Sequence, residues 1–381
     1  MIKQLSDHAK KYLEEHEKFT QDLLFELCGI PAPSNHEELR AEFIKKWLED
    51  LGAKGVYIDP ALNVVFPYQC EGKNSLLAIM AHTDTVFPDM EPFTVKVDGN
   101  VAACPGIGDD TANVAILLTL IKYVLENNLT APNGVLFVLN AGEEGLGNLK
   151  GSRQIVKDFG DRIAEFVSLD GSYTGVCNKS VGSMRYNVEV TTEGGHSYGS
   201  FGNRNAIQRL SAIIEKLYEI EVPHDGDSKT TYNVGMISGG TSVNTIAQQA
   251  QMLYEYRSDS KKCLDIMGEH FHRIIEEAKK DCLSVTVTVL GERPCMGDVD
   301  AGRQQALLDK VKEAIATRYD KEIGTYPGST DCNIPFSVGI PSVCFGGYHG
   351  KGAHTREEHI FLDTLPVGTA IVATFLLDYF A

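Results

Sequence analysis

Histidine and acidic side chains recur directly after apolar segments of this sequence. The apolar residues 76–81 are followed by His82 and Asp84, residues 134–140 by Glu143 and Glu144, and residues 166–169 by Asp170. Asp109 follows two glycines, and His354 lies in a glycine-rich stretch beyond the apolar residues 342–345. Imidazole nitrogens and carboxylate oxygens, without a required cysteine, suit zinc, cobalt or manganese in a catalytic rather than a structural site.

The number of donors indicates two metal ions. If one carboxylate is shared, five ligands suffice for two metals and leave open positions for water and substrate. Asp84 is placed two residues beyond His82, where it can orient the imidazole. One of the paired glutamates is then free to act as a general base on water. Each residue alone also has an ordinary explanation, such as a core histidine at His82 or helix capping at Asp110.

The elements that would position these residues alternate between strand and helix. Amphipathic spacing predicts a first helix that stops before Pro31, a second helix over residues 36–51 and a third over residues 111–126. Short apolar runs at 55–58, 63–68, 76–81, 94–97, 134–140, 166–169 and 342–345 predict strands, and residues 304–318 and 365–379 predict further helices. This order predicts an α/β fold with a mixed, largely parallel sheet flanked by helices, in which ligands bind at the strand ends.

The rhythm changes between residues 178 and 292. Strands at 184–192, 231–237, 250–256 and 284–290 and helices at 205–219 and 261–280 follow the order βαββαβ, which is that of a ferredoxin-like domain. We therefore predict a discontinuous catalytic domain, residues 1–177 and 293–381, interrupted by an inserted lid domain, residues 178–292.

Composition narrows the class of protein. The chain has 381 residues with 52 acidic against 35 basic side chains, a formal net charge of −17, so a nucleic-acid partner is not expected. Apolar runs are far shorter than the ~20 residues that span a membrane, so no membrane partner is expected either. Nine cysteines without a CxxC pair or regular framework suit reduced thiols and predict a cytoplasmic protein.

The ordered motifs resemble one known family. They are the IPAPS stretch at 30–34, the HTD triplet at 82–84, GIGDD at 106–110, AGEEG at 141–145, LDG at 169–171, GGHS at 194–197, GGTSVN at 239–244 and GAHT at 352–355. In this combination the chain resembles the dinuclear-zinc metallopeptidases and deacylases, which include peptidase T, glutamate-releasing carboxypeptidases, acetylornithine deacetylase and succinyl-diaminopimelate desuccinylase. The resemblance implies a zinc-exopeptidase-like catalytic domain.

The resemblance also implies a role for each residue. Two divalent metal ions, zinc or alternatively cobalt or manganese, would be held by His82, Asp109 as the bridging carboxylate, Glu144, Asp170 and His354. Glu143 would be the general base and Asp84 the partner of His82, and a cis peptide bond is usual after the bridging aspartate. In the lid, the residues that match substrate-binding positions are His196, Asn244 and Arg257. A lid histidine without a substrate role and a surface ion pair of Arg257 stay open as alternatives.

The function implied is hydrolysis of short peptides by an exopeptidase, through water activated by two metals. Asp170 stands where the deacylase branch more often has glutamate, which favours the peptidase branch, as does the IPAPS stretch. The alternative is a deacylase of N-acyl amino acids, and a remote alternative is a metal-binding interaction protein without catalysis. In dimeric members the histidine that His196 matches reaches the neighbouring subunit's site, so a homodimer through the lid is a further expectation.

Overall fold

A computed structural model describes residues 2–381, apart from the side chain of Leu146. Its helices are α1 (Asp7–Glu15), α2 (Glu17–Cys28), α3 (Glu38–Asp50), α4 (Asn113–Glu126), α5 (Lys150–Phe159), α6 (Ala206–Tyr218), α7 (Lys261–Ala278), α8 (Ala301–Ala316), α9 (Asn333–Ser337) and α10 (Thr364–Leu377). Its strands are β1 (Tyr57–Ile58), β2 (Val64–Tyr68), β3 (Leu76–His82), β4 (Lys96–Asp98), β5 (Val101–Ala103), β6 (Val135–Asn140), β7 (Ile163–Leu169), β8 (Gly175–Ser180), β9 (Gly182–Thr191), β10 (Gly195–His196), β11 (Thr230–Gly239), β12 (Thr245–Ile246), β13 (Gln249–Ser258), β14 (Ser284–Arg293), β15 (Gly324–Gly328), β16 (Ser342–Phe345), β17 (Gly350–Lys351) and β18 (His359–Phe361).

The chain divides into two units, Met1–Ser180 with Asp298–Ala381, and Val181–Gly297. Each has its own apolar core. The limits of these units lie a few residues from the boundaries predicted from the sequence, and the separation into a catalytic and a lid domain stays a prediction.

The first unit contains an eight-stranded sheet in the order β1-β2-β6-β3-β7-β16-β8-β15. Its central strands β6, β3, β7 and β16 are all parallel, whereas β1 and β2 add an antiparallel edge. Every residue of β3, β6 and β16 is buried, as expected for strands covered on both faces. The predicted mixed, largely parallel sheet with packed helices is confirmed.

The second unit contains an antiparallel sheet in the order β11-β13-β9-β14. Helices α6 and α7 bury Leu210, Leu217 and Phe271 in the same apolar core as Val188 and Met252 of the sheet. The succession β9-α6-β11-β13-α7-β14, with β10 and β12 as a short extra ladder, gives the predicted ferredoxin-like βαββαβ arrangement.

Two sequence-based predictions of local structure are wrong. The first predicted helix is two helices, because His16 leaves the helical conformation at φ −107° and its Nδ1–H group donates a hydrogen bond to the carbonyl oxygen of Tyr12. No helix is predicted between the strands at 134–140 and 166–169, but α5 (Lys150–Phe159) lies there. Gly151 is needed there for packing, because a Cβ atom would lie 2.5 Å from the Ala141 carbonyl oxygen.

Arg40 joins three segments that lead to the sheet edge. This buried guanidinium on α3 donates hydrogen bonds to the carbonyl oxygens of Leu27, Ile30 and Thr83 and to the hydroxyl of Thr111. Burial lowers its pKa. The end of α2, the end of β3 and the turn before α4 are therefore held by one side chain.

We expect Arg40→Met to reduce the free energy of unfolding by about 3 kcal/mol or more, because three buried carbonyl groups lose their donor. Urea unfolding followed by the fluorescence of Trp47, which lies on the same helix, measures the change. Lys46→Met is the matched control, since Lys46 is exposed on α3, and it should stay within about 0.5 kcal/mol of the wild type. Equal effects of the two substitutions would contradict this role of Arg40.

Candidate metal centre

The parallel strands bring the predicted chemical residues to one edge of the sheet. His82 is the last residue of β3, the loop with Glu143 and Glu144 follows β6, and Asp170 follows β7. Because these strands are neighbours and run in the same direction, their carboxyl ends meet. His354 reaches the same place from the loop beyond β16.

Asp109 lies at the centre of this group. It belongs to an irregular turn, Ile107–Ala112, and its peptide bond to Asp110 is cis, as the resemblance implied. Its Oδ1 atom lies 3.1 Å from Nε2 of His82, and its Oδ2 atom lies 3.1 Å from Nε2 of His354. One carboxylate therefore presents one oxygen to each histidine.

The donors form two sets of three that share Asp109. One set is His82, Asp109 and Asp170, and the other is Asp109, Glu144 and His354; within each set the donor atoms lie within 4.8 Å of one another. Carboxylate oxygens and imidazole nitrogens in such triplets fit zinc, cobalt or manganese. The chemistry of the donors thus fits two divalent cations with a carboxylate between them.

The close packing of carboxylates and imidazoles shifts the pKa values of the groups in the site. Burial, followed by the negative charge of Asp109, raises the pKa of Asp170 to about 7. Hydrogen bonds with Asp109 and Glu144 raise the pKa of His354 to about 10. Binding of cations requires neutral imidazoles and ionised carboxylates, so protons have to leave these groups when a metal ion enters.

Asp84 holds the two glutamates more directly than it holds His82. Its Oδ1 and Oδ2 atoms accept hydrogen bonds of 3.0 Å from the backbone N–H groups of Glu143 and Glu144. Nδ1 of His82 lies 3.1 Å from the Asp84 carbonyl oxygen and 3.5 Å from its carboxylate. Burial raises the pKa of Asp84, but hydrogen bonds, the one from His82 first, outweigh it and keep the carboxyl ionised.

Glu143 lies beside the donors and is only 6% exposed. Its carboxylate lies within 4.8 Å of ligand atoms of His82 and Glu144. The side chain therefore stands next to both predicted metal positions while Asp84 fixes its backbone.

Glu358 supports the site and was not anticipated from the sequence. This buried carboxylate accepts hydrogen bonds from the N–H groups of Gly106, Gly108 and Asp109, at 2.7, 2.9 and 2.8 Å. Burial raises its pKa to about 7 despite these bonds. It lies four residues beyond His354, outside the GAHT stretch, and no motif in the sequence marks it.

The predicted lid residues lie in the second unit and are not all together. His196 pairs with Thr245 in the short ladder of β10 and β12, and the carbonyl oxygen of Asn244 accepts a hydrogen bond from Ser197 N–H at 2.9 Å. His196 and Asn244 are therefore close neighbours. Arg257 lies at the other end of β13, more than about 20 Å away at the usual rise per residue. It forms an ion pair with Glu255 at 3.1 Å, which is the alternative that the sequence left open.

Comparisons with known proteins place this geometry in a family. Residues 78–378 match the sequence profile of peptidase family M20/M25/M40. The chain belongs to this family. The M20 profile begins within β3 and ends just beyond α10, and so includes all the residues of the site.

Individual proteins extend the likeness to nearly the whole chain. A succinyl-diaminopimelate desuccinylase of Corynebacterium glutamicum is 26% identical over 363 residues, which cover 92% of this chain and 94% of that protein. A tripeptidase of Staphylococcus aureus has a similar fold with a TM-score of 0.76 at 20% identity, covering 94% and 97% of the two chains. A dinuclear metal-binding M20 peptidase of Bacillus subtilis has a similar fold with a TM-score of 0.65 at 18% identity, covering 95% of this chain and 98% of that one. The chain is accordingly an M20 metallohydrolase.

The shared position of Asp109 generates a test of the site. We expect wild-type protein loaded with zinc to retain about two ions per chain after dialysis, His354→Ala about one, and Asp109→Ala close to none. Mass spectrometry of the bound metal gives these ratios directly.

Asp98→Ala is the control for this experiment, because Asp98 is an exposed carboxylate on β4 of the same unit. It should retain the wild-type amount of zinc. An Asp109→Ala protein that remains folded and still binds two ions would contradict the shared position.

Proposed function

We propose that this M20 protein is a metal-dependent exopeptidase that hydrolyses short peptides, as a di- or tripeptidase, an aminopeptidase or a carboxypeptidase. The observation that supports it is the arrangement of Asp109, with one oxygen on each histidine, beside the buried carboxylate of Glu143. The ligands proposed are His82, Asp109, Glu144, Asp170 and His354, and the proposed ions are zinc, with cobalt or manganese as substitutes.

The chain's own groups carry the proton transfers. Cations at this edge would polarise the substrate carbonyl and make water more acidic. Glu143 takes a proton from the attacking water and returns it to the nitrogen of the leaving amine, so the same carboxyl serves as base and then as acid. Asp84 is a positioning residue, because its hydrogen bonds to the N–H groups of Glu143 and Glu144 keep base and ligand at a fixed separation.

The choice of a peptidase over a deacylase has two supports. Asp170 and the IPAPS stretch match the peptidase branch of the family, and the tripeptidase of S. aureus shares the fold over nearly the whole chain. The specific observation in favour of the alternative, an N-acyl-amino-acid deacylase, is the 26% identity with a desuccinylase. The third hypothesis, a non-catalytic interaction protein, has no support from a site that retains Glu143 with every predicted ligand.

Removal of the base tests the mechanism. We expect Glu143→Ala to lower kcat for peptide hydrolysis about 100- to 10,000-fold with bound metal unchanged, because water then lacks its proton acceptor. Glu91→Ala, an exposed glutamate of the same unit, is the control. Near-normal turnover by a metal-loaded Glu143→Ala protein would show that the base is another group.

The same assay separates the two substrate classes. Zinc-loaded wild-type enzyme is given free dipeptides, tripeptides and N-acyl amino acids, including N-acetyl and N-succinyl compounds, and products are identified by mass spectrometry. Hydrolysis of peptides is the expected result. Activity on the acyl compounds alone would replace the peptidase proposal by the deacylase.

His196 and Asn244 are proposed substrate-binding residues in the second unit, and Arg257 retains only the support of the family resemblance. His196 is exposed, and its Nδ1 accepts hydrogen bonds from the N–H groups of Tyr198 and Gly199, which leaves Nε2 to act as a donor. We expect His196→Ala to lower kcat/KM about 100-fold without loss of metal, as for removal of one oxyanion donor. His224→Ala, at another exposed histidine of this unit, is the control, and equal activities of the two variants would argue against the role.

A homodimer through the second unit and a cytoplasmic location complete the proposal. Strand β11 is an edge of its sheet and exposes Met236 and Ile237, which supports pairing of the unit with another copy. The molar mass in solution tests the homodimer.

All nine cysteines are buried free thiols, which supports a reducing compartment and can be tested by cell fractionation. In the described part of the chain, no helix has the length and apolar character required to span a membrane.

A further inference from the structure

A pocket opens beside the metal ligand Glu144. Its volume is about 690 Å³, within the range of small-molecule sites. Residues 33–36 form one part of its lining, residues 85–88 and Met90 another, and Glu144 and Gly145 complete it. All of these residues belong to the first unit, so the pocket is complete within it.

The two wall segments are held together and to the site. Pro33 and Thr85 form a parallel bridge, and Ser34 N–H donates to the Thr85 carbonyl at 3.2 Å. The Ser34 hydroxyl donates to Oδ2 of Asp84 at 2.7 Å. Hydrogen bonds thus connect the IPAPS stretch to the residue that fixes the catalytic glutamates.

The far side of the second wall is held by Arg356. Its guanidinium lies 5.1 Å from the ring centre of Phe87 and 5.7 Å from that of Phe93, whose rings meet edge to face. Arg356 also binds Asp89 through two hydrogen bonds, of 3.0 and 2.6 Å. The wall is therefore formed before a ligand arrives.

The surface offered to a ligand is mainly apolar, and His36 is the basic side chain that lines it. Val86 is 37% and Met90 is 53% exposed, which is unusual for apolar side chains in a concave surface. Among the described residues that line the pocket, none is lysine or arginine. The nearby Arg356 is already neutralised by Asp89.

We propose that this pocket is a substrate subsite that takes an apolar side chain, of the size of leucine, methionine or phenylalanine, from the residue next to the scissile amide. This inference rests on the proposed hydrolysis at the neighbouring metal centre. It narrows the substrate class to peptides with a bulky apolar residue, and it disfavours acidic side chains and succinyl groups at this position.

The wild-type enzyme tests the preference. In dipeptide series X-Gly and Gly-X, we expect kcat/KM for leucine, methionine or phenylalanine as X to exceed that for aspartate or glycine by about 10-fold or more in one of the two series. Equal values for apolar and acidic residues in both series would overturn the subsite and leave the peptidase proposal standing.

Charge changes at Met90 show whether the pocket itself makes the selection. Met90 is exposed, so a charged residue can be solvated there without unfolding. We expect Met90→Lys to raise kcat/KM for aspartate as X, relative to that for leucine, about three- to fivefold. Met90→Glu should raise kcat/KM for lysine as X, relative to that for leucine, by a similar factor. A purely structural effect would lower kcat/KM for all substrates by the same factor.

Val97→Glu is the matched control, because Val97 is a similarly exposed apolar residue on β4 of the same unit. It should leave every ratio unchanged. Unaltered ratios in both Met90 variants would overturn the proposal.

Failure of the proposed function would be distinguishable from failure of the pocket. If zinc-loaded enzyme hydrolysed neither peptides nor N-acyl amino acids, binding of free L-leucine and L-aspartate to it would be compared by calorimetry. Tighter binding of leucine that is lost in Met90→Glu would support the subsite without the hydrolysis. Equal binding of the two amino acids would overturn the subsite as well.

Discussion

The site depends on holding five carboxylates at one edge of a sheet in spite of their mutual repulsion. They are Asp84, Asp109, Glu143, Glu144 and Asp170. Two unit charges 5 Å apart repel by about 3 kcal/mol at an effective dielectric constant of ~20, so the group could not stay ionised without compensation. Part of it comes from His82 and His354, which face the two oxygens of Asp109. Burial, and after it the negative charge of Asp109, still raises the pKa of Asp170 to about 7, and two divalent cations are the counter-charge that fits the group.

Backbone N–H groups supply a further part of the compensation. Asp84 and Glu358 are carboxylates that bind no predicted metal; each instead accepts N–H groups from the loop that carries a ligand. Such bonds stabilise the ionised form and at the same time fix the backbone of the loop. Arg40 also fixes the backbone near the site, because it donates to carbonyl groups at the ends of β3 and α2. Order in the loops is therefore a consequence of neutralising charge, and the geometry of the ligands depends on it.

The parts of this arrangement that could be predicted from the sequence are those set by local pattern. Apolar runs followed by acidic residues located the strand ends, and parallel strands bring such ends together, so the convergence of His82, Glu144 and Asp170 followed. Contacts between distant segments left no such pattern. Glu358 meets Gly106 across 252 residues, and nothing near either residue indicates the other. Arg40 gave a weak signal, as a charged residue on the buried stripe of α3 with Ala41 and Ile44. Helix α5 was not predicted either, although Gly151 in its first turn is required for close packing.

The pocket beside Glu144 shares its supports with the metal centre, and this limits how specificity can change. Ser34 binds both a pocket wall and Asp84, and Arg356, two residues beyond His354, holds the other wall through Asp89. Substitution of Ser34 or Arg356 would disturb the predicted metal ligands together with the pocket wall, so turnover and selectivity would change together. Met90, by contrast, exposes half of its surface and makes none of the polar contacts that hold the centre. Selectivity can therefore be altered independently of the chemistry only at wall positions like Met90. Such residues line the pocket but make none of the hydrogen bonds that hold its walls and the metal centre.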